Sequence, residues 1–470
     1  MSRTLRALAV LLTAVFVFAA CSSGGSTASP AASTGGGGGG TSAAPGGSTG
    51  GGGSAAPGGS TAGGGSAAPA GSAATTGGTL NVLSLWGGSE EKAFKDVLAA
   101  FTKKTGVAVK YEADRQTYAT TLRSRITGGN PPDIGIIPGI GFLRSFAKDG
   151  LIKKVSDLGI DVNGLKANYP EGFLAAGTVD NELYAVPAKY NNKGTMWYRP
   201  DVFKDAGLEV PKTWDEFKAA LDKLKGKGAM ALGAKDDWNL TDWFESIYIR
   251  QAGVEAYDKL FSADGDFSDP SVQKAVDTML EVVNDNYVVG GIDAAIGRAW
   301  TDAIAQVFKP QPAAAVFYEG GFVGGIATGQ TNKDLKIGET IDWFPFPTFG
   351  GSEDVTTFGG DVIGALTDTD QAKAFLQYLT TPEANQVWAG TGAIVSPNKG
   401  VTTDAYPNDL VKREAESLTK AAQIRYDGSD LLPAGVTGEN LGPLLQRAIR
   451  GDKIDWAEFE GRLQAAWDNE

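Results

Sequence analysis

Between Ser22 and Gly78 the chain carries no charged residue and almost no side chain large enough to bury. A tract of Gly, Ser, Ala, Thr and Pro cannot offset the entropy lost on ordering, so a packed core is confined to residues 79–470. The segment Ser42–Thr49 recurs at Ser54–Thr61 and starts again at Ser66, a repeat of 12 residues that fits linker expansion better than a structural unit. As a Gly/Ser-rich coil, such a linker has a root-mean-square reach on the order of 40 Å.

The tract begins directly after Cys21, the only cysteine. Arg3 and Arg6 precede an apolar run, Leu8 to Ala20, which is short for a membrane span and suits a signal core. Phe18-Ala19-Ala20-Cys21 reads as a lipobox, although Phe18 stands where Leu is more usual. The expectation is a signal peptide over 1–20, lipidation of Cys21, and a tether over 21–78 that holds an extracytoplasmic protein to the cell membrane. An ordinary secretory signal or an uncleaved helix is the alternative reading.

Composition then excludes whole classes of chemistry. There is no histidine, which removes Ser/His/Asp triads, Cys/His dyads and His-based metal sites. The formal charge of −13 becomes −15 once Arg3 and Arg6 leave with the leader, which argues against nucleic acid and polyanionic ligands. No cysteine is left to form a disulfide in the folded part. Asp264-Gly265-Asp266-Phe267-Ser268-Asp269 has calcium-like spacing but lacks the glycine and glutamate of a calcium loop, and reads as an acidic turn before a helix. Lys225-Gly226-Lys227-Gly228 lacks the length and Ser/Thr ending of a phosphate loop and reads as a helix stop. No cofactor and no metal is expected.

Periodicity gives alternating strands and helices. Thr79–Leu85, Val107–Tyr111 and Ile134–Ile137 read as strands. Ser89-Glu90-Glu91 reads as a capped, acidic helix start that leads into the stripe Ala93, Phe94, Val97, Leu98 and Phe101. Tyr118–Ile126 is a second helix, and Thr213 caps a third with Trp214, Phe217, Leu221 and Leu224 facing inward. Later helices are expected near 240–252, 271–284 and 300–308, then a strand over Ala313–Tyr318. This pattern predicts an α/β protein with a mostly parallel sheet, whose ligand loops lie at the strand ends: Trp86 to Glu90, Glu112 to Tyr118 including Asp114, and Pro138 to Phe142. Nearly 400 residues are too many for one core and enough for two.

The order of several loose motifs is specific. Gly128-Gly129-Asn130-Pro131-Pro132-Asp133 is followed by Gly177-Thr178-Val179-Asp180-Asn181-Glu182-Leu183-Tyr184-Ala185-Val186-Pro187. Then come Trp197-Tyr198-Arg199-Pro200, Pro211-Lys212-Thr213-Trp214-Asp215-Glu216-Phe217 and Phe344-Pro345-Phe346-Pro347. Phe375-Leu376-Gln377-Tyr378-Leu379 and Thr381-Pro382-Glu383-Ala384 complete the set. Together they resemble the family 1 extracellular solute-binding proteins of sugar ABC transporters. Trp238, Thr241-Asp242-Trp243 and Gln251-Ala252-Gly253 look most like its α-glucoside-binding branch.

The resemblance implies a two-lobed, periplasmic-binding-protein-like clamp with three interlobe crossings, closing over a saccharide and presenting it to the membrane subunits of a permease. It places the crossings near 190–195, 343–347 and 380. One lobe is then 79–190 plus 346–380, the other 191–345 plus 381–470, in a protein expected to act as a monomer. A pyranose offers C–H faces to aromatic rings and hydroxyls to fixed donors and acceptors, so its site mixes Trp and Tyr with polar side chains. Trp197 and Trp214 read as core, while Trp86, with Glu90 beside it, sits in a loop where site and core are equally open. By resemblance Trp238, Asp242 and Trp243 belong to a segment that stacks on sugar. Tyr318, or Phe322, holds the place of a stacking aromatic, with Glu319 beside it. Asp361 closes the loop Gly359-Gly360-Asp361, and Asn192 falls where relatives contact ligand. Asp430 and Asn440 are further candidates. A secreted glycosidase, or a binding protein for a peptide, polyamine or anion, remains open from residues alone.

Overall fold

The computed structural model describes residues 77–470 except 116, 352 and 353. Cys21 and the tether expected over 21–78 lie outside the described residues, apart from Gly77 and Gly78. Fourteen strands among them are β1 (Thr79–Ser84), β2 (Ala108–Ala113), β3 (Ile134–Ile137), β4 (Thr178–Val179), β5 (Glu182–Leu183), β6 (Ala185–Pro187), β7 (Asn191–Asn192) and β8 (Thr195–Tyr198). They continue as β9 (Met230–Ala231), β10 (Val316–Tyr318), β11 (Asp342–Pro345), β12 (Val355–Gly359), β13 (Val362–Ala365) and β14 (Gln423–Tyr426).

Three sheets use all but the small β4–β5 hairpin. The first has order β2-β1-β3-β13-β6, the second β11-β8-β10-β9, and the third β14-β12-β7. In the first sheet β1 runs parallel to β2 and β3, while β13 runs antiparallel to β3 and β6. The expected strand β3 is observed with the bounds expected, buried at all four positions. The helix after β1 spans Gly88–Thr105 and buries Ala93, Phe94, Val97, Leu98 and Phe101, as its period requires. Ser89 does not cap it. Gly88, at φ +64°, starts the turn one residue earlier, and extended Gly87 stands at the cap position without a side chain to offer. At Trp214–Leu224 the cap is real: Thr213 accepts from the Glu216 N–H, and Glu216 reaches back in a capping box.

Two large cores account for the division into lobes. Residues from Leu80 to Ala188 and from Val362 to Ile394 share one. Residues from Met196 to Phe346, with Val355 and the stretch Leu432–Leu463, make up the other, as one large cluster and a smaller one around Trp197, Trp300 and Phe317. Two expected crossings are therefore displaced. Pro345 ends β11, an edge strand of the second sheet, where a proline costs no ladder bond, and Phe344 and Phe346 pack in the second core. Thr381 caps a helix, Pro382–Ala389, whose Ala384 and Trp388 pack in the first core, with Trp388 5.0 Å from Phe94. By packing, the chain passes between cores at 189–195, at 356–361 and after 394.

The third sheet carries the first two passages side by side, with Phe358 opposite Asn192 and Gly359 opposite Asn191. Gly360 permits their contact, because a Cβ there would lie 1.7 Å from the Lys189 carbonyl oxygen. Glu414, on the helix Asp409–Lys420, is buried against this hinge and accepts the Asn192 N–H at 3.1 Å. Burial raises its carboxyl to about 8. The folded state thus holds a proton that the unfolded state releases near pH 4.5, so stability is full below that pH and falls as pH rises toward 8. Glu414→Gln is expected to raise the unfolding free energy at pH 8 by on the order of a few kcal/mol and to flatten its decline between pH 5 and 8, as measured by urea unfolding.

Candidate functional site

Where the passages meet the strand ends of both cores lies a cavity of about 250 Å³. From the first core come Trp86, two residues after β1, Glu90 and Pro138. The passages supply Lys189, Asn191 and Lys193 on one side and Gly359, Gly360 and Asp361 on the other. The second core contributes Trp238, Trp300 and Phe322, and the segment after β14 adds Asp427, Ser429 and Asp430. Arg115, from the loop after β2, closes the rim.

Each cation of this cavity is paired to a carboxylate and lies over an indole. Lys189 bonds Glu90, stands 3.8 Å from Asp361 and lies 5.3 Å from the Trp86 ring centre. Lys193 binds Asp242 at 2.8 Å and Asp427 at 3.2 Å, with its ammonium 4.8 Å from the Trp238 ring. Arg115 pairs with Glu90 and sits 5.8 Å from the Trp300 ring, joining residues of opposite cores. These arrangements set the ionisation. Burial opposes the charge on Glu90, but Lys189 and Arg115 outweigh it and hold the carboxyl below its usual value. Asp361 is raised by burial despite Lys189 and the Trp86 Nε1–H, which donates to it at 2.5 Å. Burial raises Asp242 to about 7 against the pull of Lys193. Burial also works against Asp427, yet Lys193 and the Ser429 hydroxyl keep it lowered. Rings, directional carboxylates and ammonium donors together suit a ligand with apolar faces and many hydroxyls.

The family model for bacterial extracellular solute-binding proteins matches residues 87–386. The chain belongs to that family. It is 30% identical over 413 residues to the alpha-glucosides-binding periplasmic protein AglE of Rhizobium meliloti (strain 1021), covering 84% of this chain and 88% of the relative. The osmoprotective compounds-binding protein GgtB of Synechocystis sp. is also 30% identical, over 76% of this chain and 85% of its own. A solved chitin oligosaccharide binding protein superposes with a TM-score of 0.70 at 22% identity, over 83% of this chain and 98% of the other. The raffinose complex of RafE gives 0.65 at 20% identity, over 83% and 99%. The two-lobed α/β clamp expected from sequence is the fold of these neighbours.

Within this solute-binding protein the sequence-derived site divides in two. Trp86, Glu90, Trp238 and Asp361 line the cavity, as do Phe322 and Asp430. The others stand behind it or away from it. Asp114 caps the turn at Thr117 and accepts the Thr121 hydroxyl. Asn192 is a hinge tie: its amide donates to Ser417 at 2.7 Å and its oxygen accepts from Gly194 and Thr356. Asp242 is buried beneath Lys193. Trp243, 1% exposed, packs between Tyr318 at 4.6 Å and Phe346 at 5.7 Å. Tyr318 donates its hydroxyl proton inward, with the Lys193 carbonyl 2.6 Å away. Glu319 accepts from Asn239 with no exposed surface, and burial holds it well above the usual carboxylate range. Asn440 caps the helix Leu441–Ile449. The residues missed are Arg115, Lys189, Lys193, Asn191, Trp300, Asp427 and Ser429. Two lysines inside an otherwise apolar and amide-rich passage, 188–195, are the signal that could have found the hinge cations.

Two outcomes follow from this geometry. Trp243→Ala should cost about 3–5 kcal/mol of stability as a core truncation, whereas Trp238→Ala, at the half-exposed helix start, should cost markedly less and chiefly weaken ligand binding; denaturant unfolding with ligand titration reads both. Lys193→Met strands Asp242 and Asp427 without their cation and should cost on the order of 3–5 kcal/mol at pH 7. The two carboxyls then have folded-state values above their unfolded ones, so the deficit should shrink as pH falls toward 4. A deficit independent of pH would assign Lys193 a packing role only.

Proposed function

We propose that this protein captures a saccharide, an α-glucoside or related oligosaccharide, by closure of two lobes, and hands it unaltered to the membrane subunits of an ABC permease. The observation that carries the reading is the cavity between the cores, in which Trp86, Trp238 and Trp300 line the wall among three cations and four carboxylates. Because these charges nearly cancel, the site favours a neutral polyhydroxylated ligand over a sugar acid or phosphate. AglE supports the choice of ligand class, through the alpha-glucosides its name specifies. The lobes we infer are 79–188 with 362–394, and 196–346 with 432–470, hinged at the paired passages. No helix of the described residues is long and apolar enough to cross a membrane, and on this reading lipidation at Cys21 supplies the attachment of a monomer outside the cytoplasm.

The test is a thermal-shift panel of mono- and oligosaccharides, with peptides, polyamines, uronic acids and sugar phosphates as controls. A ligand bound only by the folded state at 100 times its Kd should add about 2.7 kcal/mol. Neutral saccharides alone should stabilise the protein, and chromatography after prolonged incubation should return them intact. Stabilisation by a control and by no neutral sugar would overturn the ligand class. Released hydrolysis products would point to a glycosidase instead.

A further inference from the structure

Glu245 is a buried acid with no direct part in lining the cavity. It lies on the helix Trp238–Ala252, is 1% exposed and forms no ion pair among the described residues. Burial, with Asp427 and Asp242 nearby, raises its carboxyl well above the usual range. A buried acid without a cation is costly unless hydrogen bonds satisfy it, and here they come from one short segment and one phenol. One carboxyl oxygen accepts the Gly428 N–H at 2.6 Å, and the other accepts the Ser429 N–H at 2.9 Å. The Tyr257 hydroxyl stands 2.6 Å from Glu245, and it also accepts the Gly428 N–H at 2.8 Å.

The segment so held carries three residues of the cavity wall, Asp427, Ser429 and Asp430. It enters the short 3-10 turn Ser429–Leu431, whose leading N–H groups have no partner within the turn itself. Glu245 supplies that partner from another helix. Thr241, Asp242 and Glu245 lie three and four positions apart, so one helix face meets the segment at three points. Thr241 accepts the Ser429 hydroxyl at 3.0 Å, Asp242 shares Lys193 with Asp427, and Glu245 takes the backbone. From below, a Cβ at Gly428 would lie 2.2 Å from the Phe261 ring, so the segment sits flush on that ring. Asp430 differs from its neighbours. Its carboxyl makes no hydrogen bond to any described residue, and it stands at the seam between the cores, where a Cβ at Gly139 would lie 3.4 Å from its Oδ1. It is an acceptor left for a ligand.

We infer that Glu245 is a positioning residue of the saccharide site: by fixing the backbone at Gly428 and Ser429 it sets where the Asp430 carboxyl meets the sugar, without touching the sugar itself. This rests on the saccharide reading and deepens it, since part of the affinity then resides in a residue outside the cavity.

The experiment pairs amide hydrogen exchange on the ligand-free full chain with calorimetric titration of maltose, trehalose, sucrose and raffinose. Glu245→Gln keeps the volume but turns one acceptor oxygen into a donor that faces an N–H. Exchange at Gly428 and Ser429 should quicken roughly ten-fold or more, with the amides of the helix Gly88–Thr105 unchanged. The best-bound sugar should weaken roughly ten-fold in Glu245→Gln and also in Asp430→Asn, while the double variant should be little weaker than either one. Tyr257→Phe keeps the ring packed on Phe261 at 4.8 Å and removes one of the bonds to Glu245, so it should move both readouts the same way by less. It serves as the variant of record if Glu245→Gln does not fold. Unchanged exchange at Gly428 and Ser429, wild-type affinity in Glu245→Gln, or losses that simply add in the double variant would each overturn the positioning role, since a residue acting on global stability alone gives no coupling with Asp430. Failure of all four sugars to bind the unmodified protein would overturn the α-glucoside reading, and the exchange result then decides the anchoring of the segment by itself.

Discussion

One largely enclosed ammonium, that of Lys193, ties together the parts on which the site depends. Its side chain joins the first passage to Asp242 on the helix Trp238–Ala252 and to Asp427 beyond β14, and its carbonyl receives the Tyr318 hydroxyl. Four segments remote in sequence thus converge on one residue. Burial disfavours the charge, but Asp242, Asp427, Glu319 and Asp430 outweigh it, so the ammonium stays protonated well past its ordinary range. Buried ion pairs are weak contributors to net stability because desolvation offsets their attraction, but losing one partner is severe. Such a group acts less as cement than as a register mark: any arrangement that moves the passage away from its carboxylates strands several charges at once.

The passages themselves are held by shape as much as by charge. Gly360 brings one against the Lys189 carbonyl, Asn192 links its own strand to Thr356 and Ser417, and Phe173, Tyr190 and Phe358 pack together with centroids 4.5 to 5.3 Å apart. The two cores can then move as bodies, each already complete in its apolar packing.

Much of the architecture was legible because it is written in period. The stripes at Phe94, Val97, Leu98 and Phe101 and at Trp214, Phe217 and Leu221 bury as a 3.6-residue repeat requires, and Thr213 caps through its own hydroxyl. Crossings have no such period, and proline pairs mislead there, since an edge strand tolerates them equally well. The cavity lining was legible where a residue follows a strand or sits in a glycine loop, as Trp86, Glu90 and Asp361 do. It was illegible where helix phase decides. Trp243 follows Trp238 by five positions, about 140° further round the helix, so one ring meets the cavity and the other the core. Lys189 and Lys193 were not singled out, because chain order does not reveal that carboxylates from other segments will surround them.

The three cavity indoles each lie under a positive charge, Trp86 beneath Lys189, Trp238 beneath Lys193 and Trp300 beneath Arg115. Indole emission is sensitive to the field across its ring, and a sugar entering between these rings must alter the distance or the hydration of at least one of the cations. On the proposed saccharide reading, the cavity is therefore also an optical probe of its own occupancy. Filling and emptying can be followed in the unlabelled protein, with core rings such as Trp243 and Trp214 providing a steady background.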